Sequence, residues 1–80
     1  MEANLIREMI VSSIIGSKVE VIDTNQTGDH FSVLIISDAF VDMPLIERHK
    51  LIYKLLNKHI TKEIHALQLK TVTNAEYEKI

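Results

Sequence analysis

Four histidines and no cysteine restrict the chemistry open to this 80-residue chain. An imidazole can ligate a metal or move a proton near neutral pH. Without cysteine there is no disulfide framework, no zinc-thiolate site and no thiol nucleophile of the chain's own, so any thiolate must come from another molecule. Two of the histidines stand where strands begin: His30 opens "HFSVLIIS" and His65 stands at the mouth of "IHALQLKTV". Alternation places His65 on the face shared by Leu67, Leu69 and Thr71. Each ring is either packed or used, and together with the loop before His30 they could form a half-site. His59 and His65, six residues apart, sit at a helix end and a strand start. They lack the one-turn register of a zinc pair, and no third ligand is nearby in sequence. Ser12, Ser13, Ser32 and Ser37 are not set as a nucleophile elbow, and Gly16 and Gly28 alone make no phosphate loop. Most enzyme classes lose their footing on these residues.

The second chemical feature is a run of charge. Arg48, Lys50, Lys54, Lys58 and Lys62 are five of the nine basic residues and have no acidic residue among them, leaving four basic against eleven acidic elsewhere. Spacings of four put Lys50, Lys54, Lys58 and Lys62 along one side of a helix. A solvated face explains them without function, since neighbouring like charges cost a helix only about 0.2–0.5 kcal/mol per pair. A basic helix face also suits phosphates or an acidic protein patch.

The elements that must position these residues follow from periodicity. Leu5, Ile6, Met9, Ile10 and Ser13 fall on one arc of a first helix that Gly16 stops. "KVEVID" (18–23) and "HFSVLIIS" (30–37) alternate as strands joined by the turn-formers "TNQTGD", a hairpin with a loop of about six residues. A second helix runs from about Pro44 to about Lys58, with Asp42 as cap and Pro44 in the first turn. Leu45, His49, Ile52, Tyr53, Leu56 and Ile60 form its apolar stripe, opposite the lysines. His49 in that stripe is expected to pack and bond a backbone group. His59, at the frayed end, favours the negative end of the helix dipole. A third strand (64–72) and "NAEYEKI", a short helix or tail, complete the chain.

This order describes a single α+β domain over 1–80: a three-stranded mixed sheet with helices packed on one face. A long helical crossover makes the third strand parallel to one hairpin strand, without choosing which. Hydrophobic residues at 46% and charged residues at 25% are those of an ordinary globular chain. No apolar run approaches the roughly 20 residues that span a bilayer, and the acidic start "MEANLIREMI" is unlike a secretion signal. A cytoplasmic location, no membrane partner and no small-molecule substrate are expected.

Together "GDHFSVLIISDAF", "ERHKLIYKLL" and "EIHALQLKTVTNAEY" resemble the BolA family, of the short bacterial type, over nearly the whole chain. The resemblance implies an αββαβ fold related to the class II KH domain. It also implies a non-enzymatic partner of a monothiol glutaredoxin, sharing a glutathione-ligated [2Fe-2S] cluster in iron–sulfur trafficking or iron regulation. The histidine of the family's "HAL" signature is His65, the implied cluster ligand. The second family ligand, a cysteine or histidine in the hairpin loop, falls near Thr27. Threonine is a poor iron ligand, so either His30 substitutes or the chain offers one good ligand. Asp42 stands where the family often has glycine, Asn74 where it often has proline, and Tyr77 in place of the usual tryptophan. These are expected to change the structure only locally.

An imidazole in place of a thiolate would raise the cluster's reduction potential, and assembly should weaken as pH falls through the histidine range. In this reading the Lys50 to Lys58 ridge supports docking of a glutaredoxin heterodimer, and the isolated chain holds no cofactor. The alternative is a KH-like nucleic-acid binder and transcription regulator with Arg48, Lys50, Lys54 and Lys58 on phosphates. The missing G-x-x-G loop argues against ordinary KH readout. A third reading is a dimerising domain without a ligand.

Overall fold

A computed structural model describes residues 1–57, 59 and 62–79. Helix α1 covers Ala3–Ser13, strand β1 Lys18–Asp23 and strand β2 His30–Ile36. A 3-10 turn at Asp38–Phe40 leads to helix α2 at Leu45–Leu56, strand β3 at Ala66–Val72 and the short helix α3 at Asn74–Glu78. The sheet order is β1-β2-β3, with β1 antiparallel and β3 parallel to β2. The mixed α+β architecture expected from the sequence is therefore the observed one. The strand left without a neighbour pairs with β2, in a register that sets His30 opposite Ala66 and Ile36 opposite Val72.

Both long helices bury their apolar stripes on the same sheet face. Ile6 and Ile10 from α1, with Ile14 at its C-cap, meet Ile52 and Leu56 from α2 over Phe31, Val33 and Ile35 of β2. In each helix the buried stripe is rotated from the expected one. In α1 the line runs through Ile6 and Ile10 to the C-cap Ile14 at spacings of four, and Leu5 and Ser13 are exposed. In α2 the buried residues are Arg48, Ile52 and Leu56, while Leu45 and Tyr53 stand outside and Ile60 lies outside the described residues. An arginine occupies the position that periodicity reserves for an apolar side chain, which is why the stripe reads one step away.

Arg48 is thus a correction to the basic face: its side chain is only 10% exposed. Its Nε donates to the Met43 carbonyl at 2.8 Å and its Nη1 to the Thr71 carbonyl at 3.0 Å. The guanidinium also grips Glu76 with both ends, Nη1 to Oε1 at 2.6 Å and Nη2 to Oε2 at 3.2 Å, and lies 5.6 Å from the centre of the Phe40 ring. Glu76 completes a capping box on α3, accepting from the Thr73 backbone N–H while its own N–H donates to the Thr73 hydroxyl. One buried cation so joins α2, the end of β3, α3 and the turn after β2. Four of its five N–H donors are used in these bonds, which leaves one, on Nη2, and a side chain turned inward rather than toward a phosphate or a partner.

Asp42 is a second correction. It does not cap α2, whose N-cap is Pro44, and instead takes φ +63 in the preceding turn. That left-handed backbone is the reason a glycine suits the position, and aspartate is among the few other residues that tolerate it.

Two predictions follow from these contacts. The Arg48 guanidinium, and then the Thr73 N–H, hold the Glu76 carboxyl at about 2 against an ordinary 4.5. Its contribution to stability should be complete above about pH 4.5 and disappear as pH falls toward about 2. Urea unfolding between pH 7 and 3 should show an acid-side decline that is shallower in Glu76→Gln; an unaltered decline would remove this pair as its source. At position 42, Asp42→Gly should raise stability by up to about 1 kcal/mol and Asp42→Val lower it by about 1–2 kcal/mol, read from the same denaturation midpoints. Equal midpoints in all three proteins would show that the turn carries no strain.

Candidate functional site

The parallel pairing of β2 with β3 brings the beginnings of both strands to one end of the sheet. His30 is the first residue of β2, and His65 immediately precedes β3. The strand begins later than periodicity suggests, and this changes the placement of His65. Its backbone N–H and that of Ala66 both donate to the Asp29 carbonyl, at 2.7 and 3.2 Å. Two successive amides on one acceptor break the alternation, so His65 does not share the inward face of Leu67, Leu69 and Thr71. Its side chain is 55% exposed.

The rings of His30 and His65 stand edge to face, 83° apart, with centroids separated by 6.4 Å. Between them lies a residue that the sequence reading passed over as part of a turn. Asp29 Oδ1 is 2.7 Å from His30 Nδ1, and its Oδ2 is 3.3 Å from His65 Nδ1. The Thr27 hydroxyl donates to Oδ1 as well. Thr27 first, then His30, holds the Asp29 carboxyl at about 2, so it is an anion at any physiological pH. His30 Nδ1 is hydrogen-bonded to this carboxylate and His65 Nδ1 lies within ion-pair distance of it, so in both rings Nε2 is the nitrogen farther from Asp29.

The loop that supplies Asp29 is held from within. Asp23 Oδ2 accepts the Gly28 N–H at 2.8 Å and its carbonyl accepts the Gln26 N–H at 3.2 Å. Gln26 and Gly28 both have positive φ, +55 and +76. At Gly28 a side chain would be strained by that backbone, and a Cβ would stand 3.1 Å from the Met1 carbonyl oxygen.

The other two histidines stand apart from this pair. His59 Nδ1 lies 2.8 Å from Glu63 Oε1, and this bond lowers the Glu63 carboxyl. His49 is half-buried on α2, and its Nε2 is buried without the backbone partner expected for it. Of the basic ridge, Lys50 and Lys54 are exposed on α2, Lys50 with its Nζ 4.0 Å from Glu47. Lys58 lies outside the described residues. No group of three or more His, Asp or Glu side chains among the described residues is arranged to hold a metal ion unaided. No helix among them is long and apolar enough to cross a membrane.

The family model described as "BolA-like protein" matches residues 12–76. The chain belongs to the BolA family. Among BolA relatives it is 32% identical over 81 residues to BolA-like protein 2 of Mus musculus, covering 99% of this chain and 93% of that protein. It is 39% identical over 49 residues to the DNA-binding transcriptional regulator BolA of Escherichia coli (strain K12), a match to 61% of this chain and 47% of the regulator. The solved BolA domain of SufE1 from Arabidopsis thaliana is similar with a TM-score of 0.83 and 35% identity, over 92% of this chain and 93% of that one. The three-stranded mixed sheet with its helices is a BolA fold.

Because the histidine pair depends on this loop, Gly28→Ala should cost about 1–2 kcal/mol and disturb both rings at once. Proton–nitrogen spectra of the purified chain should show His30 and His65 shifting together, with His59 unmoved. Unmoved His30 and His65 would mean that the loop does not hold them.

Proposed function

We propose that this BolA-family chain is a non-enzymatic partner of a monothiol glutaredoxin, sharing with it a bridging glutathione-ligated [2Fe-2S] cluster. Its role would lie in iron–sulfur trafficking or iron regulation. The observation that carries this reading is the pairing of His30 and His65, two accessible imidazoles with the Asp29 carboxylate between them, hydrogen-bonded to His30 Nδ1 and 3.3 Å from His65 Nδ1. Sequence distance gives no reason for the two rings to meet.

The donor set fits one side of a shared cluster. His65 and His30 would supply neutral nitrogen ligands, and the chain, having no cysteine, leaves every thiolate to the glutaredoxin and glutathione. Imidazole ligation would give the shared cluster a higher reduction potential than thiolates alone. The chain's own part is to hold the rings at one exposed end of a rigid sheet and to orient them through Asp29. Exposed Lys50 and Lys54 on α2 offer positive charge to an acidic partner surface.

The test is to mix the purified chain with cluster-loaded monothiol glutaredoxin and follow visible absorption and circular dichroism. The wild type should convert the spectrum to a new one-to-one species, His65→Ala should abolish the conversion, and His30→Ala should weaken it. An unchanged spectrum with the wild type would end the proposal. Full conversion by His30→Ala would leave His65 as the chain's single ligand.

Nucleic-acid binding is the second reading, favoured by the similarity to a regulator described as DNA-binding. Withdrawal of Arg48 to Glu76 leaves Lys50 and Lys54 as the exposed cations described on α2. Two phosphate contacts correspond to a slope of log affinity against log salt of about −1.8. Duplex DNA binding with such a slope, reduced in Lys54→Glu, would support this reading; no binding at physiological salt would reject it.

A further inference from the structure

A neutral imidazole carries one N–H, and the nitrogen that keeps it cannot be the ligand. Which nitrogen keeps it is decided by what the ring faces. An ionised carboxylate only accepts hydrogen bonds, so a neutral ring nitrogen turned toward it is favoured as the protonated one. Asp29 stands between the rings, its Oδ1 hydrogen-bonded to His30 Nδ1 at 2.7 Å and its Oδ2 3.3 Å from His65 Nδ1, an ion-pair distance at which the negative charge favours a proton on that nitrogen without an aligned hydrogen bond.

We infer that Asp29 is a positioning residue that holds His30 and His65 together in the Nδ1–H form, so that both present Nε2 as the free donor. This deepens the cluster-partner reading and rests on it for its purpose, but the protonation pattern belongs to the chain alone. A carboxylate behind a ligating histidine is a general device that orients the ring and raises its basicity. Here one carboxylate serves two rings from two different strands, and its backbone carbonyl simultaneously accepts the amides of His65 and Ala66. The aspartate is therefore clamped to the strand that carries the second ring.

Thr27 has a part in the same arrangement. Its hydroxyl donates to the oxygen that also meets His30, so it steadies Asp29 from behind. The loop position near which the family's ligand falls then carries a supporting residue, and the imidazole of His30 stands beyond it.

The experiment is long-range proton–nitrogen correlation on the nitrogen-labelled chain without glutaredoxin, at a pH where the rings are neutral. Both His30 and His65 should show the pattern of protonated Nδ1. Asp29→Ala should shift both toward the Nε2–H form that free imidazole side chains prefer. Thr27→Val, at an exposed site that should not disturb folding, should move His30 more than His65 because it shares an oxygen only with His30. Protonated Nε2 on either ring of the wild type would overturn the inference, as would unchanged patterns in a folded Asp29→Ala. If Asp29→Ala does not fold, the wild-type spectrum and Thr27→Val decide by the same criteria.

Mixing the same samples with cluster-loaded glutaredoxin separates the two readings. Protonated Nδ1 on both rings without spectral conversion would sustain the role of Asp29 and end the cluster-partner reading. Conversion by a wild type with protonated Nε2 would do the reverse.

Discussion

The parallel pairing of β2 with β3 is the constraint on which the remaining structure depends. Parallel neighbours cannot be joined by a tight turn, so the chain must cross back over the sheet before β3 begins. Helix α2 makes that crossing, and its buried Ile52 and Leu56 help to close the core over Phe31, Val33 and Ile35. The same pairing aligns the starts of β2 and β3, bringing together the hairpin loop and the segment after α2. The candidate site is a consequence of this alignment. His30 and His65 are 35 positions apart in the chain, and what joins them is a register that also places one carbonyl, that of Asp29, under two successive amides.

At the other end of the sheet a buried charge plays the corresponding part. Arg48 joins α2 to the end of β3 and to α3 through Thr71 and Glu76, while its guanidinium lies against Phe40. A guanidinium so enclosed requires nearly all its donors to be met, because an unpaired buried charge is costly. Met43, Thr71 and Glu76 meet them. The consequence for function is a smaller basic face. What looks in the linear sequence like one run of cations divides into a structural arginine and exposed lysines, and the two kinds of residue answer to different physics.

Much of the fold was legible because its signals are local. The β1 and β2 starts at Lys18 and His30, and the loop of six residues between the strands, follow from alternation and turn composition. The T-x-x-E spacing of Thr73 and Glu76 was also open to reading as a capping box, a signal that would have made α3 a helix and given Glu76 a backbone partner. Asp42 shows the limit of local signals: aspartate before a helix usually caps it, but here the left-handed turn takes the residue first and Pro44 occupies the cap.

The sequence by itself determined the element types, the availability of imidazole and absence of thiolate, and, through its motifs, the family. These depend on residue identity and on periods of two and 3.6, which act over a few residues. Only the tertiary structure decided that β3 lies beside β2, that Arg48 is inside, and that Asp29 stands between His30 and His65. Each of these is a contact between segments distant in the chain, made because non-local pairing and burial satisfy donors and acceptors together. No local period carries that information.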